Sequence, residues 1–365
     1  MKIMIEQKKM TVYNPSAGTD ERQPQQKLVN LSIADNKSVC NQKFLETVTM
    51  TELYDEIYTP KVPIINGLLY RGVYLFVGAP KIGKSFSMAQ IGYHISCGKP
   101  LWGREVTKGT VLYLALEDDF SRLQSRLYKM FGIEEVDNFH FATASKSVGN
   151  GLDYQLEKFV NENCDTTLII IDTLQKIREM GSEKFSYTKD YDIITSLKKF
   201  ADENNLCILL VHHTRKQEAD DSFDTISGTN GLLGAADGGF VLEKKKRTDN
   251  KAVLSVSGRD QPEQKLHLEF NRQRCIWELV EEETDFFKEP KDELLEKIST
   301  IITKDNPNWS GTASELISLL KLDLKPNVLS RKLNVLASRL INEYSIFFKN
   351  TRTSERRTID FVLKK

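Results

Sequence analysis

Short, continuous apolar runs alternate with stretches of helical period through the middle of the chain. Residues 72–77 read as a buried strand and 85–97 as a helix. Residues 109–115 give a second strand, followed by a helix over 120–131. A short strand at 139–142, a helix at 154–163 and a Leu/Ile strand at 167–171 come next. Then follow a helix at 189–204 and an apolar strand at 206–211. Strands that are apolar throughout, separated by helices, predict a mainly parallel sheet covered on both faces. After Gly231 the rhythm changes. Runs at 238–244, 252–257, 266–271 and 275–279 are short and separated by turns, which predicts antiparallel strands added at the edge of that sheet.

The two ends differ from the middle. Residues 1–50 are polar and lack a sustained period, as expected of a flexible tail. Pro60 and Pro63 then impose an extended approach to the first strand. The charged stretch 281–291, containing Pro290, marks a boundary. Beyond it, helices at 292–304, 313–320 and 325–340 precede strands at 345–349 and 357–363. Three helices and then a hairpin is the winged-helix order. The expected organisation is a tail over 1–50, an α/β domain over 51–282 and a small winged-helix-like domain over 290–365.

Composition narrows the function. Lys and Arg balance Asp and Glu at 51 each, so a polyanionic partner would have to be met by local charge. From residue 291 onward 14 Lys/Arg face 9 Asp/Glu, so the C-terminal module is mildly basic. The five cysteines form no C-x-x-C pair, and zinc-ligand spacing is absent. Reduced thiols, a start without an apolar core and apolar runs of only strand length predict a cytoplasmic protein without a membrane partner.

The chemistry sits at the ends of the strands. Gly78-Ala79-Pro80-Lys81-Ile82-Gly83-Lys84-Ser85 matches G-x-x-x-x-G-K-[ST]. Glycines let the backbone turn its N–H groups toward phosphates, and the helix that follows, through Ser85 and Phe86, points its positive end at the same anion. The pattern predicts ATP as ligand, with Lys84 on the β- and γ-phosphates. Ser85 and Asp172, the latter after the run 168–171, are expected on Mg²⁺. Glu117 closes the second strand, where a carboxylate can polarise an attacking water, although a solvated acidic loop would read the same way. Asp118 and Asp119 suit a helix cap. His212 and His213 end the strand at 206–211, and one of them is positioned to sense the γ-phosphate. Thr173 and Gln175 are further candidates to line the site.

GAPKIGKS, LYLALEDD, LIIIDT, LLVHHTRK and GTNGLLGAADGGFVLEK occur in that order. This series resembles the RepA-type hexameric replicative helicases of plasmids and mobile elements, within the RecA superfamily. The resemblance spans about residues 60–279. It implies a RecA-like core, nucleotide held between subunits of a homo-oligomeric ring, Glu117 as catalytic glutamate, Asp172 as magnesium ligand, His212 or His213 as γ-phosphate sensor, and movement along single-stranded DNA. The family's arginine finger precedes a glycine where this chain has Ser227 before Gly228. By position Arg215 and Arg259 are substitutes, and Lys244 and Arg247 weaker ones. If none serves, hydrolysis is slow.

The resemblance also directs DNA-facing loops to the segments after Asp172 and His213. The first carries Arg178, Lys184 and Lys189 among aromatics, which suits phosphate contact and base stacking. The second carries Lys216. In the C-terminal module Arg331 and Lys332 lie on the third helix, and Arg352 and Arg356 on the expected wing, where duplex DNA would be met. Winged helices serve equally as protein-binding modules. The leading reading is an ATP-driven DNA motor. The alternatives are an ATP-switched DNA-binding regulator and a RecA-type recombination or repair ATPase.

Overall fold

The computed structural model describes residues 47–58, 61–178, 187–214, 222–225, 230–246, 248–284, 290–352 and 357–364. It resolves into two compact units: Thr59–Glu293, and the residues up to Tyr58 together with Leu294–Lys365.

The first described element, α1 (Met50–Asp55), groups with the second of these units, although the sequence boundary would assign most of it to the α/β domain. It exists because Thr49 and Glu52 form a reciprocal capping box: the Thr49 side chain accepts from the Glu52 N–H, and the Glu52 carboxylate accepts from the Thr49 N–H.

The α/β unit comprises β1 (Gly72–Gly78), α2 (Lys84–Cys97), β2 (Thr110–Ala115), α3 (Phe120–Phe131), β3 (Phe139–Ala142), α4 (Leu152–Glu162), β4 (Thr166–Asp172), the single turn α5 (Leu174–Ile177), α6 (Tyr187–Glu203), β5 (Cys207–His213), α7 (Asn230–Ala235), β6 (Gly238–Glu243), β7 (Lys251–Gly258), β8 (Gln264–Asn271) and β9 (Ile276–Thr284). They build a nine-stranded sheet in the order β3-β2-β4-β5-β1-β6-β7-β8-β9. Every residue of β1 and β4 is buried, which explains their unbroken apolar runs.

One expectation is corrected. The strand after Gly231 is not antiparallel: β6 pairs parallel to β1, and the antiparallel meander begins only at β7. The connection from β5 to β6, residues 214–237, is long enough for the crossover that a parallel partner requires, and α7 lies within it. The entry to β6 is pinned to β1 by Asp237, which is buried. Its N–H donates to the Val73 carbonyl, and its carboxylate accepts from the Val73 N–H at 3.0 Å and pairs with Lys198 of α6. Gly72, at φ +129°, leaves room for it, since a Cβ there would lie 2.3 Å from the Asp237 carboxylate.

Side-chain alternation sorts the sheet into two cores. Tyr74, Phe76, Tyr113, Ile170 and Val211 pack on the face that holds α2 and the inner side of the meander. Val73, Leu75, Leu114, Ile171 and Leu210 pack on the other, under α4, α6 and α7.

The second unit adds to α1 the elements α8 (Glu293–Ile301), β10 (Asn308–Gly311), α9 (Ala313–Leu320), α10 (Pro326–Tyr344), β11 (Ile346–Arg352) and β12 (Arg357–Leu363). Strand β10 was not expected. It pairs antiparallel to β12, giving a three-stranded sheet in the order β10-β12-β11, and Trp309 lies against Phe361. Leu295, Ile298, Leu316, Leu329, Leu333, Phe348 and Phe361 form its core. A second capping box, Thr312 with Glu315, starts α9, and Pro326 opens α10 where a missing N–H costs nothing. Among the described residues, no helix is long and apolar enough to cross a membrane.

Candidate nucleotide-binding site

The parity of the strands decides what meets at their carboxyl ends. Asp172 continues the alternation of Leu168 and Ile170, and His213 that of Leu209 and Val211, so both side chains emerge on the α2 face. His213 is in register with Gly78, the first residue of the phosphate loop. Its Nδ1 lies 3.1 Å from Lys84 Nζ. His212 takes the opposite parity and is buried, so the structure separates the pair and brings only His213 to the loop.

Lys84 opens α2 and is buried. Its Nζ donates to the Gly78 and Ala79 carbonyls at 2.7 and 3.0 Å, curling the loop back over its own lysine. Burial lowers its pKa to about 8 against the pull of Asp172 and Glu117. Burial also lowers the pKa of His213, and the Lys84 cation lowers it further, so a neutral imidazole is favoured. With Lys84 protonated, Nδ1 is the acceptor and the ring proton sits on Nε2.

Asp172 Oδ2 accepts from Ser85 Oγ at 2.8 Å and from the buried Tyr113 hydroxyl at 2.9 Å. Burial raises the pKa of Asp172, and these two bonds oppose the shift. The donor set fits Mg²⁺. A hydroxyl and a carboxylate stand together beside the loop, and both are hard oxygen ligands. Mg²⁺ is held in this manner, by one or two protein oxygens with phosphates and waters completing the shell. Tyr113 was missed by the sequence reading. Its place two residues before the end of β2, on the α2 face, was the available signal.

Glu117 is exposed just beyond β2, and its Oε1 accepts from Thr173 Oγ1 at 3.3 Å. Asp119 caps α3 through the Arg122 N–H, as expected. Asp118 pairs instead with Arg126 at 2.6 Å, whose guanidinium lies 5.3 Å from the Phe86 ring centroid. Gln175 is exposed.

A second layer supports the loop from the meander. Gly83 has φ +112°, and a Cβ there would lie 2.9 Å from the Trp277 ring. Trp277 is fully buried, and its indole N–H points at the Gly83 carbonyl at 3.4 Å. Gln90 of α2 makes two main-chain bonds to Trp277, at 2.8 and 2.9 Å, and the Trp102 indole donates to the Trp277 carbonyl at 2.8 Å. No motif flags Trp277, because its contact with Gly83 spans 194 residues.

The expected trans-acting cations are engaged within the chain where they are described. Arg259 donates to the Gly234 carbonyl at 3.1 Å, and Lys244 Nζ stands 5.0 Å from the Trp277 ring centroid. Arg215, Arg247, Ser227 and Gly228 lie outside the described residues. Of the expected DNA contacts, Arg178 pairs with Asp190 at 2.7 Å across the segment 179–186, and Arg331 pairs with Asp55 at 2.9 Å. Lys332 is half-buried on α10. Lys184, Lys216 and Arg356, and the side chains of Lys189 and Arg352, lie outside the described residues.

A phosphate-loop motif with a hydroxyl–carboxylate pair beside it, at the carboxyl edge of a mainly parallel sheet, is the arrangement of a P-loop nucleotide site on a RecA-like fold. Comparison with known proteins agrees. Residues 42–219 match the family model described as an AAA domain. A solved structure of an isolated ATPase domain is similar, at 14% identity and a TM-score of 0.50, over 69% of this chain and 100% of that one. A DnaB-like replicative helicase, solved to show its interactions with primase, is similar at 14% identity and a TM-score of 0.51, over 67% of this chain and 71% of that one. No curated protein matches the sequence.

Proposed function

We propose that the chain is an ATP-driven DNA motor, a ring-forming helicase of RepA type that serves the replication of a plasmid, phage or other mobile element. The observation that carries this reading is the convergence of Lys84, Ser85, Asp172, Glu117 and His213 on one face at one sheet edge. In this reading Lys84 releases its loop carbonyls to hold the phosphates, and Ser85 and Asp172 hold Mg²⁺, which neutralises phosphate charge when bound. Glu117 orients water, accepts its proton and is held by Thr173. His213, linked to Lys84, follows loss of the γ-phosphate. The likeness to a DnaB-like replicative helicase supports assembly as a hexamer around single-stranded DNA. The element order of the second unit, with β10 added to the sheet, supports a winged-helix module that meets duplex DNA.

The test is steady-state ATP hydrolysis with and without single-stranded DNA, in an oligomer verified by light scattering. Stimulation of about tenfold or more is expected, followed by ATP-dependent strand displacement that Lys84→Ala abolishes. Tight ATP binding without stimulated turnover would instead favour an ATP-switched regulator. One observation supports that second reading: Arg259 and Lys244 are both occupied within their own chain.

The electrostatics of Lys84 set a pH dependence. Phosphate binding needs the ammonium, and the free protein loses it as pH rises through about 8. ATP affinity should therefore fall about tenfold per pH unit above that value, where an ordinary lysine would hold its charge to about 10.4. Titration calorimetry between pH 7 and 9.5 reads this directly, and a flat profile would mean that Lys84 stays charged.

A further inference from the structure

Helix α10 has a core face, carrying Leu329, Leu333 and Leu340, and an outer face about half a turn away, carrying Arg331. Helix α1 is seated on the outer side. Arg331 donates to both Asp55 carboxylate oxygens, at 2.9 and 3.5 Å. The Asn334 amide donates to the main-chain carbonyls of Tyr54 and Asp55 at 3.0 and 2.9 Å, and its oxygen accepts from Asn350 of β11 at 3.2 Å.

Two features distinguish this contact from ordinary core packing. No residue of α1 is buried, and Met50, Leu53 and Tyr58 are exposed, so apolar burial contributes little to holding it. The contact instead uses an ion pair whose two side chains are each about a third exposed, together with hydrogen bonds from the Asn334 amide, which is itself buried. An ion pair this exposed holds weakly in water. What α1 offers to α10 is also chemically specific. A carboxylate faces an arginine, and two acceptors face an asparagine amide. Duplex DNA offers related partners: a phosphate or guanine edge to Arg, and an acceptor such as adenine N7 to the Asn N–H₂.

We propose that α1 is a reversible clasp that occupies the duplex-binding face of α10 and leaves it when duplex DNA binds. The proposal rests on the reading of the second unit as a DNA-binding winged helix. Opening frees Arg331 and Asn334, three residues apart on one helix surface, to meet DNA together. While the clasp is closed, the apparent affinity for duplex is reduced by the fraction of chains that are open.

The experiment uses the full chain and a fluorescein-labelled mixed-sequence duplex, followed by anisotropy. It compares the unmodified protein, Asp55→Ala and the double variant Asp55→Ala/Arg331→Ala. Thermal melting checks the fold of each. Asp55→Ala is expected to bind duplex about three- to tenfold more tightly, since it raises the open fraction, and adding Arg331→Ala should erase the gain. Amide hydrogen exchange across α1 should quicken when duplex is added to the unmodified chain. If Asp55→Ala binds no more tightly and the α1 amides stay protected in the duplex complex, the clasp is overturned while the DNA-binding module stands. If duplex binds none of the three, both readings fall together.

Discussion

Replacement of Glu117 by Gln is expected to cut ATP turnover about 10²- to 10⁴-fold, the span of a positioned general base, with ATP affinity left within about threefold. The two effects separate because the hydrogen bond that Glu117 makes goes to Thr173 and not to the loop, although its charge is felt by Lys84. It lies beyond β2, exposed, whereas in the proposed reading phosphate charge would be met by Lys84 and the pair Ser85–Asp172. Gln keeps the shape and the bond to Thr173 and removes only the proton acceptor. Single-turnover hydrolysis beside equilibrium binding of a fluorescent ATP analogue measures both quantities. Unchanged turnover would move the base elsewhere. Asp118 is then a poor substitute, since Arg126 already engages its carboxylate.

The second large effect is expected at a residue that touches no nucleotide. Trp277→Ala should destabilise the α/β unit by about 3–5 kcal/mol, the usual cost of emptying a fully buried aromatic site. It should also weaken ATP binding more than Trp277→Phe does. The ring fills the space that a Cβ on Gly83 would enter, and its N–H faces the Gly83 carbonyl, so removing it takes away the wall against which the phosphate loop turns. Phe restores most of the wall and none of the N–H. Denaturant titration gives the stability change and calorimetry the affinity. If Ala and Phe bind ATP equally well, the loop keeps its shape without this support.

The site was legible in the sequence where chemistry is local. The phosphate loop is eight contiguous residues, and Asp172 ends an apolar run. Period-two alternation would also have chosen His213 over His212, had the register of β5 with β1 been known. What stayed hidden depends on long-range pairing. The direction of β6 was misread because a short parallel strand and a short antiparallel one have the same apolar pattern. The sign of the crossover is the long connection 214–237, which holds α7. Helix α1 carried a local sign, Thr49 three residues before Glu52, which the prolines downstream overshadowed. Strand β10 is four residues, too short for alternation to stand out, and its pairing with β12 spans about 50 positions in sequence. Trp277 and Arg126 are supports whose partners are fixed only by the fold.

The two margins of the large sheet carry a consequence for self-association. One margin is β3, only four residues long. The other is β9, which bears Glu278, Glu281, Glu282 and Glu283 along its length. A short rim and a strongly acidic one are both poor templates for another strand, because the first offers few unpaired amides and the second repels a copy of itself. Copies of this chain are thereby discouraged from joining sheet to sheet into an endless ribbon. Helix surfaces and strand-end loops are the faces left open to association, and the candidate nucleotide site lies among the latter.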